Sequence, residues 1–440
     1  MHDFAEVQLL GKISQILVVL TSIFLALSFV FSGQFASYAA SSVNDWSIFR
    51  HDASHTGFSS GTAPTSSVVQ VWNYTIDDSG GTVFASPVVA NGLVYVGSAD
   101  YNIYCFDGST GTKVWSFATG GKTDSSPAVI DGRVYVGSED GYVYCLDASG
   151  GNQVWNHSFG VSVDSPVNFA DDRVYVESQT GDVYCLDAAS GERIWSFPTG
   201  ANAHDLSPAI SDGYVFATNR NGDVFCFNAA SGVCVWNFTV GDAVGSPVAV
   251  DGFVYFGSSD GNAYCLNASS GAKIWNYTTW YNSAGPSHGY HWGNSVSDPA
   301  VAYGRVYVGS MDFDVFCLDA LTGGKIWNFS TGAGVHAPPT VAGGCVFAGS
   351  YDGNVYCLNA SSGVEIWRSA AGVFSPVSAG GGAGSPVVAD GVVYVVGNGV
   401  LSAWGSPFSN STFPLFEVIL VVVLVIIAAA IGVYVYSKRS

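Results

Sequence analysis

One unit recurs eight times between residues 86 and 404 and limits what the chain can become. The pair Ser-Pro stands at 86–87, 126–127, 165–166, 207–208, 246–247 and 385–386, with Asp298-Pro299 and Pro338-Pro339 in the same place, usually 39–42 residues apart. Self-similarity at such a period marks solenoids and propellers. The copy from Ser126 to Trp155, SPAVIDGRVYVGSEDGYVYCLDASGGNQVW, shows the common anatomy. A short apolar group ends in Asp131-Gly132; Asn91-Gly92, Asp251-Gly252 and Asp390-Gly391 sit at the same point, and such dipeptides supply the positive φ angles of a two-residue hairpin. The alternating strand RVYVGS, a turn at Asp140-Gly141, the strand YVYCLD and a last strand carrying Trp155 complete a four-stranded antiparallel meander.

A lone meander cannot bury both faces, whereas a radial array of them does. The expected fold is therefore all-β, an eight-bladed propeller. The tryptophans at 115, 155, 195, 236, 275, 327 and 367 read as packing between blades. The last unit, Ser385 to Trp404, lacks a fourth strand, and Val69 to Thr75 (VQVWNYT) has no blade of its own. Joining the two closes the ring and removes an open edge.

The units, with the leader Trp46 to Gly57 (WSIFRHDASHTG), resemble the pyrroloquinoline-quinone-like repeat proteins over residues 46–404. That resemblance implies an eight-bladed propeller. The family includes quinoprotein alcohol dehydrogenases, an outer-membrane assembly lipoprotein and many surface proteins. The dehydrogenases place a disulfide of adjacent cysteines over the quinone and hold calcium beside a catalytic aspartate. This chain has no Cys-Cys pair and no cysteine directly following its first apolar run. The resemblance therefore implies the fold, and no catalytic residue is carried over.

Residues Ile13 to Gly33 form an apolar run followed by ASYAA at 36–40, the order of an export signal. Cleavage is expected near Ala39, giving 1–39 as a signal or, if uncleaved, an anchor. Residues 40–404 form the propeller and 405–413 a linker. Residues 414–436 (PLFEVILVVVLVIIAAAIGVYVY) have bilayer length, and the tail 437–440 carries Lys438-Arg439. Basic residues stay inside, so the expected arrangement is a single-pass membrane protein with its propeller outside. With 34 Asp and Glu against 14 Lys and Arg, a nucleic-acid partner is disfavoured.

Seven of nine cysteines, at 105, 145, 185, 226, 265, 317 and 357, share one position in the third strand and read as small buried hydrophobes. With Asn228 paired to Val233, Cys226 is expected to face Val235 and Cys234 to point the other way. Cys345 is placed diagonal to Cys357, and whether those two form a bond stays open. Sequons occur at Asn73, Asn156, Asn237, Asn267, Asn276, Asn328, Asn359 and Asn410. Five follow a repeat tryptophan, on the exposed side of an outer strand, and are candidates for glycosylation.

In a propeller the connection from an outer strand to the next inner strand reaches the central channel, so variation there marks a candidate binding face. Asp124, Asp164, His204, Asp205, Asp298 and His336 vary from blade to blade just before the inner strands. A ring of carboxylates and imidazoles suits a cation or polar ligand; the same residues also serve as solvated loop positions. Two connections are expanded, Ala370 to Gly384 and the stretch WYNSAGPSHGYHW at 280–292. Trp280, Tyr281, Tyr290 and Trp292 offer flat surfaces for a sugar or a peptide side chain, unless the loop buries its own rings. His288 and His291, with His204 and His336, are the alternative as metal ligands, with no spacing motif behind them. The reading is a non-catalytic surface propeller that binds a protein or glycan, with no cofactor expected. The alternative is a quinoprotein oxidoreductase holding pyrroloquinoline quinone and calcium.

Overall fold

A computed structural model describes residues 45–65, 68–76, 85–203, 206–279, 295–370, 385–397 and 399–406. The apolar segments 13–33 and 414–436, the loop 280–292 and Asn410 lie outside the described residues. Among the described residues no helix is long and apolar enough to cross a membrane.

The repeat folds as eight antiparallel four-stranded sheets arranged in a ring. Blade one spans residues 88–118, blade two 128–158, blade three 168–198, blade four 209–239, blade five 248–278, blade six 300–330 and blade seven 340–370. Blade eight takes Val387–Ala389, Val392–Gly397 and Val400–Gly405 from the end of the repeat, and Val69–Thr75 pairs with Val400–Gly405 as its outer strand. Inner strands of neighbouring blades touch, those of blades eight and one included, so the two ends of the repeat are joined as the repeat count demands. The hairpin turns carry positive φ at both central residues, 50° and 74° at Asp131 and Gly132, the type I′ geometry that suits the strand twist.

Eight hydrophobic clusters fill the eight interfaces between neighbouring blades. The tryptophans set their spacing. Each ring in the outer strand of one blade lies against the glycine that ends the last turn of the next: Trp115 against Gly151, Trp155 against Gly191, Trp195 against Gly232. The indole Nε1 donates to a carbonyl of the same turn, from Trp115 to Ala148 O at 2.9 Å and from Trp155 to Ala188 O at 3.0 Å. Blade eight has no such turn, because its outer strand comes from the other end of the repeat. Trp367 therefore donates to Pro64 O at 2.8 Å, and the segment before the closing strand substitutes for the missing turn.

These contacts make the turn glycines irreplaceable. At Gly191, φ is +73° and a Cβ would lie 2.6 Å from the Trp155 ring; at Gly160, φ is +71° and nothing lies within 4 Å. Gly191→Ala is expected to cost about 2–4 kcal/mol from strain plus overpacking, and Gly160→Ala about 1 kcal/mol from strain alone. Guanidinium midpoints of the two variants check this; equal losses would remove the tryptophan seat from the account.

The outer strands depart from the expected register. Cys145 faces Trp155 and Leu146 faces Gln153, leaving Val154 as the extra residue of a β-bulge, and the other complete blades repeat it. Cys226 consequently faces Trp236 rather than Val235, and Cys234 faces Phe227. A bulge re-aims its extra residue. Val114, Val154, Ile194, Val235, Ile274, Ile326 and Ile366 form an outer belt, 37–48% exposed. The sequon residues Asn73, Asn156, Asn237, Asn276 and Asn328 are exposed on the same outer strands, while Asn267 and Asn359 are half-buried and accept hydrogen bonds in turns.

Candidate functional site

The inner strands leave backbone N–H groups facing the central channel, and buried donors need acceptors. Residues 46–59 supply them. The carbonyls of Trp46, Ser47, Ala53, Ser54, Thr56 and Gly57 accept from Val89, Val129, Ile210, Ala249, Val301 and Val341. Phe58–Ser59 then pairs in parallel with the inner strand of blade seven. In blade three Asn168 reaches the leader with its side chain, donating to Ala53 O at 2.9 Å. The leader thus touches blades one to seven and fills the channel.

Two basic side chains of the leader are buried in it. His55 Nδ1 lies 3.2 Å from Pro247 O and Nε2 lies 2.9 Å from Asn168 Nδ2, which a neutral ring protonated on Nδ1 satisfies. Burial, then the charge of Arg50, lowers its pKa to about 3, so the ring stays neutral. Arg50 is 3% exposed and pairs with Asp298 at 3.8 Å. Burial lowers the Arg50 pKa to about 10 against the pull of Asp298. Burial likewise raises Asp298, opposed by Arg50 and by hydrogen bonds from Ser246.

Above the leader lies a cavity of about 200 Å³ with Phe49 in its lining. Its wall is drawn from the connections into the inner strands and from turns on the same face. Asp124, Asp164, Asp298 and His336 all line it, joined by Arg220 and Tyr351. His336 stacks on Tyr351, ring centroids 6.4 Å apart at 12°. The repeated serines bind this rim together: Ser86 N donates to Ser126 Oγ at 2.8 Å, and Ser385 N to Ser86 Oγ at 2.9 Å. Of the residues singled out by sequence, these four converge. His204, Asp205, Trp280, Tyr281, His288, Tyr290, His291 and Trp292 lie outside the described residues. Both expanded connections nevertheless lead into the cavity wall, at Ser295 and Ser385.

The model of the family described as outer membrane protein assembly factor BamB matches residues 68–277 and 278–404. The chain belongs to this BamB-type PQQ-like repeat family. No curated protein matches it significantly. Among solved structures, BamB from Moraxella catarrhalis is 20% identical, covering 78% of this chain and 98% of its own, with a TM-score of 0.61. Quinohemoprotein alcohol dehydrogenase from Comamonas testosteroni is 15% identical over 84% of this chain and 82% of its own, at 0.66. The computationally designed Ika8 protein is 15% identical over 74% of this chain and all of its own, at 0.62. Likeness at such identities is likeness of fold, and fold does not fix function.

The quinone implied by the resemblance to quinoprotein dehydrogenases is a planar tricarboxylate, and an anion of that kind needs cationic partners. The described cavity wall presents Asp124, Asp164 and Asp298 against Arg220, and no cysteine lines it. Among the described residues, no group of three or more His, Cys, Asp or Glu is placed to hold a metal ion. The described residues do not fit the quinone with its calcium.

One buried acid escaped the sequence reading. Glu177 occupies a position where other BamB-type repeats of this chain carry Gly97, Gly137, Gly257 and Gly309, whose Cβ would strike the following connection. In blade three that connection has Ala203 in place of Val163 or Val335, which makes room. Glu177 is 0% exposed, its carboxyl oxygens have no hydrogen-bond partner, and burial raises its pKa well above 4.5. A raised folded pKa means that the fold binds the proton more tightly than the unfolded chain, so stability is full at low pH and falls as pH rises above about 4.5. Glu177→Gln is expected to match the wild type at pH 4 and to be more stable at pH 8, by about 1–3 kcal/mol. Urea unfolding at the two pH values checks this; a constant difference between the proteins would refute it.

Proposed function

We propose that this protein is a non-catalytic binding propeller displayed outside the cell membrane. Residues 1–39 direct export, and 414–436 hold the molecule in the membrane with residues 437–440 inside. The ligand is a protein or a glycan engaged at the channel mouth. The observation behind this reading is the cavity whose lining includes the blade-variable residues Asp124, Asp164, Asp298 and His336, with the leader beneath it. Its volume suits a single side chain or sugar ring rather than a large cofactor. The family match supports a partner-binding role, since the matched model is that of an assembly factor. The aromatic side chains of 280–292 offer further flat surfaces for such a ligand, and the outer-strand sequons carry glycans.

The test is photo-crosslinking of the full-length protein in its own membranes, with a photoreactive side chain in place of Tyr351. A discrete adduct that Asp124→Ala with Asp164→Ala removes, without change in melting temperature, is expected. An adduct indifferent to those substitutions would move the site elsewhere, and Trp280→Ala with Trp292→Ala extends the test to the loop. Quinone-dependent alcohol oxidation by the purified protein would overturn the reading in favour of an oxidoreductase.

A further inference from the structure

The seven repeat cysteines share one environment, but only Cys357 has a second cysteine beside it in its own second strand. In blades two, three and six an arginine starts that strand, Arg133, Arg173 or Arg305; in blade seven Cys345 does. The register pairs Cys345 with Asn359 and Phe347 with Cys357. Alternate residues share a face, so Cys345 and Cys357 are diagonal neighbours on the face packed against blade eight. Both are buried in the same cluster, 1% and 0% exposed, and both are free thiols.

We infer that Cys345 and Cys357 form a reversible disulfide that links the second and third strands of blade seven. The neighbouring Cys357 thiol lowers the Cys345 pKa, and the Cys345 thiol, with burial, raises that of Cys357. Cys345 is therefore the first nucleophile. Its thiolate attacks one sulfur of a small-molecule disulfide such as oxidised glutathione, whose S–S bond breaks and releases one thiol. Cys357 then attacks the mixed disulfide at Cys345 and releases the second thiol. The Sγ–Sγ bond forms, and the two electrons and two protons leave on the two released thiols.

The bond is a labile one. Diagonal residues across antiparallel strands stand roughly 7–8 Å apart at Cα, beyond the usual 4.4–6.8 Å of a disulfide. Closing it pulls on the turn at Gly343 and Gly344, where φ is positive at both residues. Strained disulfides of this sort are easily reduced and suit regulation better than permanent bracing. The pull also reaches the segment that closes the ring. Ala63 and Val68 pack against the cysteine cluster, and a Cβ on Gly343 would lie 2.8 Å from Ala63 N.

The test equilibrates the full-length protein with mixtures of reduced and oxidised glutathione in sub-denaturing urea, which permits blade opening. Alkylation in guanidinium and peptide mass spectrometry then count and place the remaining thiols. Two of the nine thiols are expected to disappear together, with Cys345 and Cys357 joined in one peptide pair; Cys345→Ser keeps all eight of its thiols out of any internal bond. Nine free thiols under the most oxidising mixture, or glutathione adducts without that cross-link, would overturn the inference. The outcome is independent of where the protein resides, so it can fail without the proposed function failing.

Discussion

Removal of residues 69–75 should abolish the single cooperative thermal transition of the propeller. That strand pairs along Val400–Gly405, and Trp72 lies against the Gly111 turn of blade one, its Nε1 2.8 Å from Gly108 O. Taking away a buried tryptophan alone costs about 3–5 kcal/mol, and the ladder hydrogen bonds add about 1 kcal/mol each. The sum rivals the whole stability of an ordinary domain, about 5–15 kcal/mol. Without the strand, the interface of blades eight and one is opened to water and a free strand edge is exposed to other chains. Calorimetry of the deletion beside Trp72→Ala checks this: the point variant should melt lower but as one unit, and the deletion should lose the transition or aggregate. A deletion that melts as the wild type does would show that the ring is held elsewhere.

Asp298→Ala should be the most destabilising single substitution at the channel mouth. It leaves the buried Arg50 guanidinium without its ion-pair partner and with only the weaker pull of Asp52, at an expected loss of about 3–5 kcal/mol. Arg50→Met with Asp298→Ala should recover most of that loss, because replacing a buried pair by apolar groups removes two desolvation costs with one interaction. The measurement is a double-mutant cycle from guanidinium midpoints. Additive losses would show that the 3.8 Å pair carries no coupling. A second readout is the adduct at the mouth: unlike Asp298→Ala, the double variant should keep the leader seated beneath the cavity.

The fold was legible because its causes are local and repeated. Asp-Gly turns, alternating strands and a tryptophan per unit each specify one step, and eight copies specify the ring. The closing strand followed from counting, since one unit lacked a strand and one strand lacked a unit. The bulge did not follow, because the residue before each tryptophan is apolar and reads as inward-facing until the register is known. The cavity was legible only as positions: Asp124, Asp164, Asp298 and His336 stood out by varying where the rest repeats. What binds them from below was not, since Arg50 and Asp298 lie 248 residues apart in sequence and nothing local pairs them. Glu177 carried a signal that the repeat itself provides, an acid at a position otherwise mostly glycine. It required knowing that glycine there makes way for the next connection.

The leader and the closing strand give the molecule an arrow in time. Both come from the first 75 residues, yet the leader needs the inner strands of blades one to seven and the closing strand needs Val400–Gly405. At a synthesis rate of about 5–20 residues per second, the wait for the roughly 325 intervening residues is of the order of tens of seconds. During it the seven complete blades have their own hairpins but no filled channel and no closed ring. A nascent chain of this design is committed late: residues 387–405, the last of the propeller to be made, decide the fate of residues 46–75, among its first.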